Sequence, residues 1–455
     1  MISLKKNWEI DIPYENPFIN DNLKREEEIQ KLTKLIDIID PPFTLAINGG
    51  WGTGKTSFIK MWEQYLKKQK YTTLNYNAWE NDSSEYPLLT IMGEIQDQIV
   101  NNSTNLKVKS IAKALFKSTT SIVSKGIESS ILATSSNLVH FSPKESIDEF
   151  TKNLGSAPSE YVKYKKSRKK FQDALIKFAE EVGKNKSNNK VICFIDELDR
   201  CRPNFAVELL ENIKHFLNVE NYIFIISLDK IQLGYSISTL YGSQMDSEGY
   251  LKRFIDFSYN LRETDTSEFT RTVFTKIFDE PFEKRELRDD RLRNIFLQDI
   301  ELLIRGFHLS LREIEQLLFH LKLIFKKINY DSMDFYVIPI LLIMRHKNYP
   351  MYKQYIKKEI MFDDFINYIK SHMEWDKYFS SERVNYLLTS ICESLELLHL
   401  SRNDIDERMK NYNEESHYGA GFELRKFAQK IREGRLVSLQ LIYEKIETVT
   451  ILETN

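Results

Sequence analysis

Cysteine is nearly absent from this 455-residue chain: Cys193, Cys201 and Cys392 are its three, with no CxxC pair and no metal-ligand spacing. That excludes a disulfide scaffold and a zinc ribbon, and it suits a reducing compartment. Glycine and proline are also few, 15 and 11, which excludes long flexible linkers and favours helices. Neither sign of charge prevails: 64 basic and 66 acidic residues leave a formal −2, so affinity for nucleic acid or membrane must come from local patches. No continuous apolar run is long enough to span a bilayer. Met1–Ile10 carries Lys5 and Lys6 but lacks the apolar stretch of a signal peptide. The expectation is a cytoplasmic protein of two or three domains, with 42% hydrophobic residues to build its cores.

The patterning is uneven along the chain. Leu23, Ile29, Leu32, Leu35 and Ile36 lie near helical spacing within residues 23–39, and Pro41 and Pro42 end that helix. Short apolar runs at Phe43–Asn48, Tyr71–Asn77, Val191–Ile195, Tyr222–Ser227 and Phe254–Leu261 read as buried strands. Helical stretches at Thr56–Gln69 and Ala206–Leu217 alternate with them, which argues for a parallel α/β sheet. Residues 100–160 are weakly patterned and read as an insertion. Beyond about Thr264 the chain is helical nearly throughout. The expected division is an α/β domain over 1–262, a helical lid-like subdomain over 263–330 and a helical C-terminal domain over 331–455.

Between the first strand and the helix after it stands Gly49-Gly50-Trp51-Gly52-Thr53-Gly54-Lys55-Thr56, followed by Ser57. This matches G-x-x-x-x-G-K-[ST] in full and in the required strand–loop–helix context. Glycines let the backbone approach phosphates, and successive N–H groups with the helix N-terminus form an anion-binding nest. Lys55 is expected on the β- and γ-phosphates and Thr56 on Mg²⁺. The strand Val191–Ile195 runs into Asp196 and Glu197, which delivers two carboxylates to the sheet's C-terminal edge. Asp196 is the expected magnesium partner and Glu197 the base that orients and deprotonates water. Ser227, ending the next strand, is placed to hold that water or sense the γ-phosphate.

Two arginines are further candidates. Arg253 precedes the last strand, where a finger arginine reaches into a neighbouring subunit in related ring ATPases, and Arg312 could couple the helical half to the phosphates. A surface salt bridge is an equally weighted reading of both. No guanine-reading element follows the magnesium strand, so ATP is the default nucleotide. Phe18 and Ile19 are candidates for an adenine pocket, with packing an equal alternative.

With these pieces in view the chain resembles the KAP family of P-loop NTPases. The resemblance rests on Gly50-Trp51-Gly52 with Gly54-Lys55-Thr56, on Asn77-Ala78-Trp79, on Ile195-Asp196-Glu197-Leu198-Asp199-Arg200, and on Gly249-Tyr250-Leu251-Lys252-Arg253-Phe254. It spans roughly residues 15–320 and implies the additional-strand class of P-loop fold, with Mg²⁺-dependent ATP hydrolysis. Bacterial relatives resemble phage-exclusion and other antiviral defence ATPases, and many are membrane-associated. Family members often carry transmembrane helices between the two motifs, whereas residues 105–140 here are broken by Lys107, Lys109, Lys113, Lys117 and Lys125. The family also usually has a second Asp where this chain has Glu197. Asp199 and Arg200 are expected to form an ion pair bracing the exit of the magnesium strand or to face a neighbouring subunit; Asn77, at a strand end, could contact the γ-phosphate region, and Trp79 could simply be core.

The leading function is an ATPase that drives conformational change or assembly of a homo-oligomer, acting on an effector protein encoded nearby. The competing function is a nucleotide-gated binding module that contacts nucleic acid through Lys163–Lys170 or a membrane surface through residues 105–140. For that lysine cluster a solvated helix face is the blander and favoured reading.

Overall fold

The computed structural model describes residues 11–123, 157–184, 189–263, 265–278, 290–327, 334–372 and 382–399, with the short stretches 403–404, 442–444 and 446–448. Two compact units divide the chain, 1–263 and 264–455.

In the first unit, α1 (Glu26–Ile38) leads into β1 (Phe43–Asn48), α2 (Lys55–Lys68), β2 (Thr72–Asn77), α3 (Pro87–Asn102), α4 (Leu106–Val123) and α5 (Ala157–Gly183). The unit continues with β3 (Val191–Asp196), α6 (Pro203–Asn212), β4 (Tyr222–Leu228), α7 (Lys230–Tyr241), α8 (Ser247–Leu251) and β5 (Phe257–Asn260). All strand pairs are parallel, in the order β2-β3-β4-β1-β5. β4 therefore lies between β1, which precedes the glycine loop, and β3, which carries the paired acids. This is the additional-strand arrangement of a P-loop α/β fold.

Side-chain alternation builds a core on each face of that sheet. Ile192 and Phe194 of β3, with Ile223 and Ile225 of β4, pack against α1 and α2. Cys193, Ile195, Phe224 and Ile226 pack instead against α3 to α7. Strands buried on both faces read as continuous apolar runs, which is why they were visible in the sequence. The same parity matters for function. Asn77, Asp196 and Ser227 share the phase of the α2-facing residues, so all three polar groups reach the C-terminal edge on the side that α2 covers.

Several boundaries differ from the periodicity. β5 is only Phe257–Asn260, because Phe254 and Ile255 turn into the core and Asp256 accepts the Thr44 N–H at 2.8 Å. The helix expected at Ala206 starts at Pro203, which has no N–H to lose in a first turn, and ends in a π-helical turn over Ile213–Leu217. Within the weakly patterned stretch, α4 packs against α3 and α5 and buries Val108, Ala112, Leu115 and Ile122. Residues 124–156, most of the expected insertion, lie outside the described residues. Among the described residues no helix is long and apolar enough to cross a membrane.

The second unit contains α9 (Ser267–Phe278), α10 (Asp290–Gly306), α11 (Leu311–Lys327), α12 (Asp334–Lys347), α13 (Tyr349–Ile356), α14 (Phe362–His372) and α15 (Glu382–His399). Its α11 opens with a capping box: Glu313 Oε2 accepts the Ser310 N–H at 2.6 Å, and Ser310 Oγ accepts the Glu313 N–H at 3.4 Å. Glu313 Oε1 also contacts His346 at 2.7 Å and Lys347 at 2.8 Å. Burial works to raise the Glu313 carboxyl, but the hydrogen bonds from His346, Lys347 and the Ser310 N–H outweigh it and hold the group well below the usual range. A carboxyl lowered in the folded state stabilises at pH above its unfolded value, and that stabilisation is lost as pH falls through the folded one. Glu313→Gln is therefore expected to cost about 1–2 kcal/mol at pH 7. In urea titrations followed by circular dichroism, the gap to wild type should shrink as pH drops below about 4. A gap that holds constant to pH 2 would refute the charged cap.

Candidate functional site

The glycine loop takes its shape from two left-handed residues, Gly52 (φ 77°) and Gly54 (φ 86°), which side-chain-bearing residues adopt only at a cost. Gly54 caps α2 without a side-chain acceptor, so the first N–H groups of that helix turn into the loop. Thr53 Oγ1 donates to the Gly50 carbonyl at 2.8 Å and closes the arc. A Cβ at Gly49 would meet Thr53 Oγ1 at 2.8 Å, so that hydroxyl would have to shift. Lys55 Nζ donates to the carbonyls of Gly49 at 2.6 Å and Gly50 at 3.1 Å, which holds the ammonium inside the arc. Burial pushes the Lys55 pKa down, while the charges of Asp199, Asp229 and Asp196 push it back up. Thr56 and Ser57 follow in the first turn of α2, half-buried.

At the end of β3, Asp196 is buried and its Oδ1 accepts the Glu197 N–H at 2.9 Å. Glu197 itself sits at φ 62°, a left-handed conformation that costs a non-glycine residue roughly 1–2 kcal/mol. The bend throws its carboxylate sideways. Oε1 pairs with Arg200 Nη1 at 2.6 Å, and Oε2 accepts from Asn77 Nδ2 at 3.2 Å. Asn77 stands opposite Asp196 in the β2–β3 register, which brings the amide within reach. Ser227 is fully buried, and its Oγ has no hydrogen-bond partner among the described residues. A buried hydroxyl left this way costs about 1–3 kcal/mol, and its place at the edge on the α2 side is where a polar ligand would satisfy it.

The remaining candidates are more dispersed. Arg253 is exposed, with its guanidinium 5.6 Å from the Tyr250 ring centroid, and makes no ion pair with a described residue. Arg312 is exposed on the first turn of α11 in the second unit, and its charge acts on Glu315. Phe18 packs on the Tyr65 ring at 5.4 Å beside the core, and Ile19 is exposed. Of the basic cluster, Lys165, Lys166, Lys169 and Lys170 are exposed on α5, and Arg168 lies over the Phe216 ring.

Two expectations need correction. Asp199 and Arg200 do not pair with each other: Asp199 Oδ2 accepts the Trp51 indole N–H at 2.8 Å, and Arg200 turns to Glu197. The left-handed bend at Glu197 followed by a 3-10 turn, Leu198–Arg200, separates their side chains. Trp79 is not core. It is 52% exposed, with the Arg200 guanidinium 5.4 Å from its ring centroid. Asn77 and Asp199 thus join the site through partners that sequence reasoning did not assign. The Asn-Ala-Trp and Leu-Asp-Arg strings that mark the family were the visible clue.

A glycine loop between β1 and α2, paired acids ending β3 and an interposed β4 define a P-loop nucleotide-binding protein of the additional-strand class. A model described as the KAP family P-loop domain matches residues 25–328, more than half of the chain, and the chain belongs to that family. Among solved structures, the Aeropyrum pernix ORC2 protein in its ADP form is 11% identical, with 94% of this chain and 85% of that chain covered at a TM-score of 0.28. The same protein in ADPNP–ADP complexes is 12% identical, covering 94% and 86% at a TM-score of 0.29. At such scores the likeness carries no weight for function. No curated protein sequence matches significantly.

Proposed function

We propose that the chain is a Mg²⁺-dependent ATPase. The observation that supports this reading is the Lys55 arc together with Asp196 and the buried Ser227 hydroxyl at one sheet edge on the α2 side, with Glu197 next in the chain after Asp196. Lys55 and the loop N–H groups would bind the triphosphate. Thr56 and Asp196 would hold Mg²⁺, whose oxygen preference and habit of sharing one or two protein ligands with phosphates and water suit this sparse set. When bound, the ion would neutralise phosphate charge. Glu197 would take the proton of the attacking water, and Ser227 would orient that water or the γ-phosphate.

Phosphate release from ATP by the full chain, with and without Mg²⁺, tests the reading. Turnover that requires Mg²⁺ is expected. Its absence at every protein concentration, with and without DNA, would refute it. In the finer version, hydrolysis drives assembly of a homo-oligomer, with Arg253 acting in trans and Arg312 coupling the helical unit, in bacterial antiviral defence alongside an effector. That version rests on family resemblance, and mass measurement with and without ATP addresses it. A second reading, nucleotide-timed contact with nucleic acid, draws on the four exposed lysines of α5 and predicts salt-sensitive DNA binding that charge reversal removes.

A further inference from the structure

The carboxylate assigned as base is not free. Glu197 is only 14% exposed, with one oxygen ion-paired to Arg200 and the other bonded by Asn77. Arg200 is stacked in turn on Trp79, and the loop bearing Trp79 is tied down: Arg202 pairs with Asp82 at 3.1 Å and donates to the Ser84 carbonyl. The short turn Leu198–Arg200 that supplies Arg200 also supplies Asp199, which the glycine loop grips through the Trp51 indole N–H. One three-residue turn therefore touches the phosphate-binding loop with Asp199 and the base with Arg200.

Resting on the reading of Glu197 as base, we propose that Arg200 is a latch on Glu197 and that Trp51–Asp199 is the linkage by which a nucleotide seated in the glycine loop opens it. A carboxylate with a guanidinium on one oxygen and an amide on the other has fewer lone pairs open to a proton from water, and releasing the cation frees one more. A shift of the loop backbone under the triphosphate would carry Trp51, drag Asp199 and rotate the turn, so Arg200 leaves Glu197. The guanidinium already lies over Trp79 while it holds Glu197, so its departure changes the surroundings of that ring, where the release is visible. Arg200 is a positioning residue in this scheme, and so are Asp199 and Trp51.

The test uses the full chain and separates kcat from KM. An ion pair of ordinary exposed strength corresponds to roughly a 2- to 5-fold population shift. Arg200→Gln should raise kcat by about that factor with KM and ATP affinity unchanged, and Arg200→Lys, which keeps the charge but not the planar group over Trp79, should fall between Arg200→Gln and wild type. Trp51→Phe removes the indole donor and keeps an aromatic ring; it should lower kcat by a similar factor, and the double variant Trp51→Phe/Arg200→Gln should match Arg200→Gln. An Arg200→Gln chain with kcat at or below wild type, or a Trp51→Phe loss that persists in the double variant, overturns the latch. Tryptophan emission supplies a readout independent of turnover. A non-hydrolysable Mg·ATP analogue added to the wild-type chain should shift the emission, and the shift should vanish when Trp79→Phe is introduced; no Trp79-dependent shift also overturns the proposal. Turnover surviving in Glu197→Gln would instead sink the base assignment, whereas a dead Glu197→Gln beside an unaltered Arg200→Gln sinks the latch alone.

Discussion

Glu197→Gln is expected to lower kcat by about 10²- to 10⁴-fold while ATP still binds. The amide is isosteric and still accepts hydrogen bonds, but it cannot take a proton from water at neutral pH. Arg200 would lose its ion pair, yet its guanidinium is partly exposed and keeps the Trp79 ring, so folding should survive. The measurement is single-turnover phosphate release beside equilibrium binding of a fluorescent ATP analogue. If binding persists and release stays within 10-fold of wild type, Glu197 is not the base. Asn77 sharpens the expectation, because its amide can meet either a carboxylate or a carboxamide oxygen without moving.

Trp62→Ala carries the largest expected loss of stability. Trp62 is fully buried in the middle of α2, its ring edge-on to Phe194 of β3 at 5.7 Å and to Phe58 at 6.0 Å. Its indole N–H donates to Thr33 Oγ1 on α1 at 3.0 Å, which locks two helices and the central sheet together. Truncation leaves a large cavity and removes that donor, a cost of about 3–5 kcal/mol. Trp62→Phe keeps most of the buried ring and should lose about half as much. Because α2 begins at Lys55, the loosened helix should also weaken nucleotide affinity, and saturating Mg·ATP should restore part of the lost Tm. Thermal unfolding of both variants with and without nucleotide checks this. A Trp62→Ala chain with wild-type Tm would show that α2 does not depend on this contact.

Much of the nucleotide site was legible because its chemistry is contiguous. A loop that wraps phosphates needs its glycines, lysine and threonine within one turn of chain, and Gly49–Thr56 displays them in order. A strand buried on both faces must be apolar until it reaches the edge, so Val191–Ile195 ending in Asp196-Glu197 announces where its acids emerge. The same logic exposed Tyr222–Ser227 as a buried strand, and the sheet places it between the other two, as the family resemblance implied. Boundaries failed where packing overrode pattern, as at Phe254 and Ile255, whose apolar character serves the core rather than β5.

By itself the sequence determined the class of fold, the phosphate loop, the paired acids and the family, since each is written in neighbouring residues under a local steric or electrostatic demand. Only the tertiary structure decided what those groups touch. Asn77 and Glu197 are 120 positions apart, and Trp51 and Asp199 are 148 apart. Their meeting depends on β2 lying beside β3 in one register and on a left-handed bend at a glutamate, neither of which any short stretch of chain can specify. The pairing of Arg200 with Glu197 rather than with its neighbour Asp199 follows from that same bend.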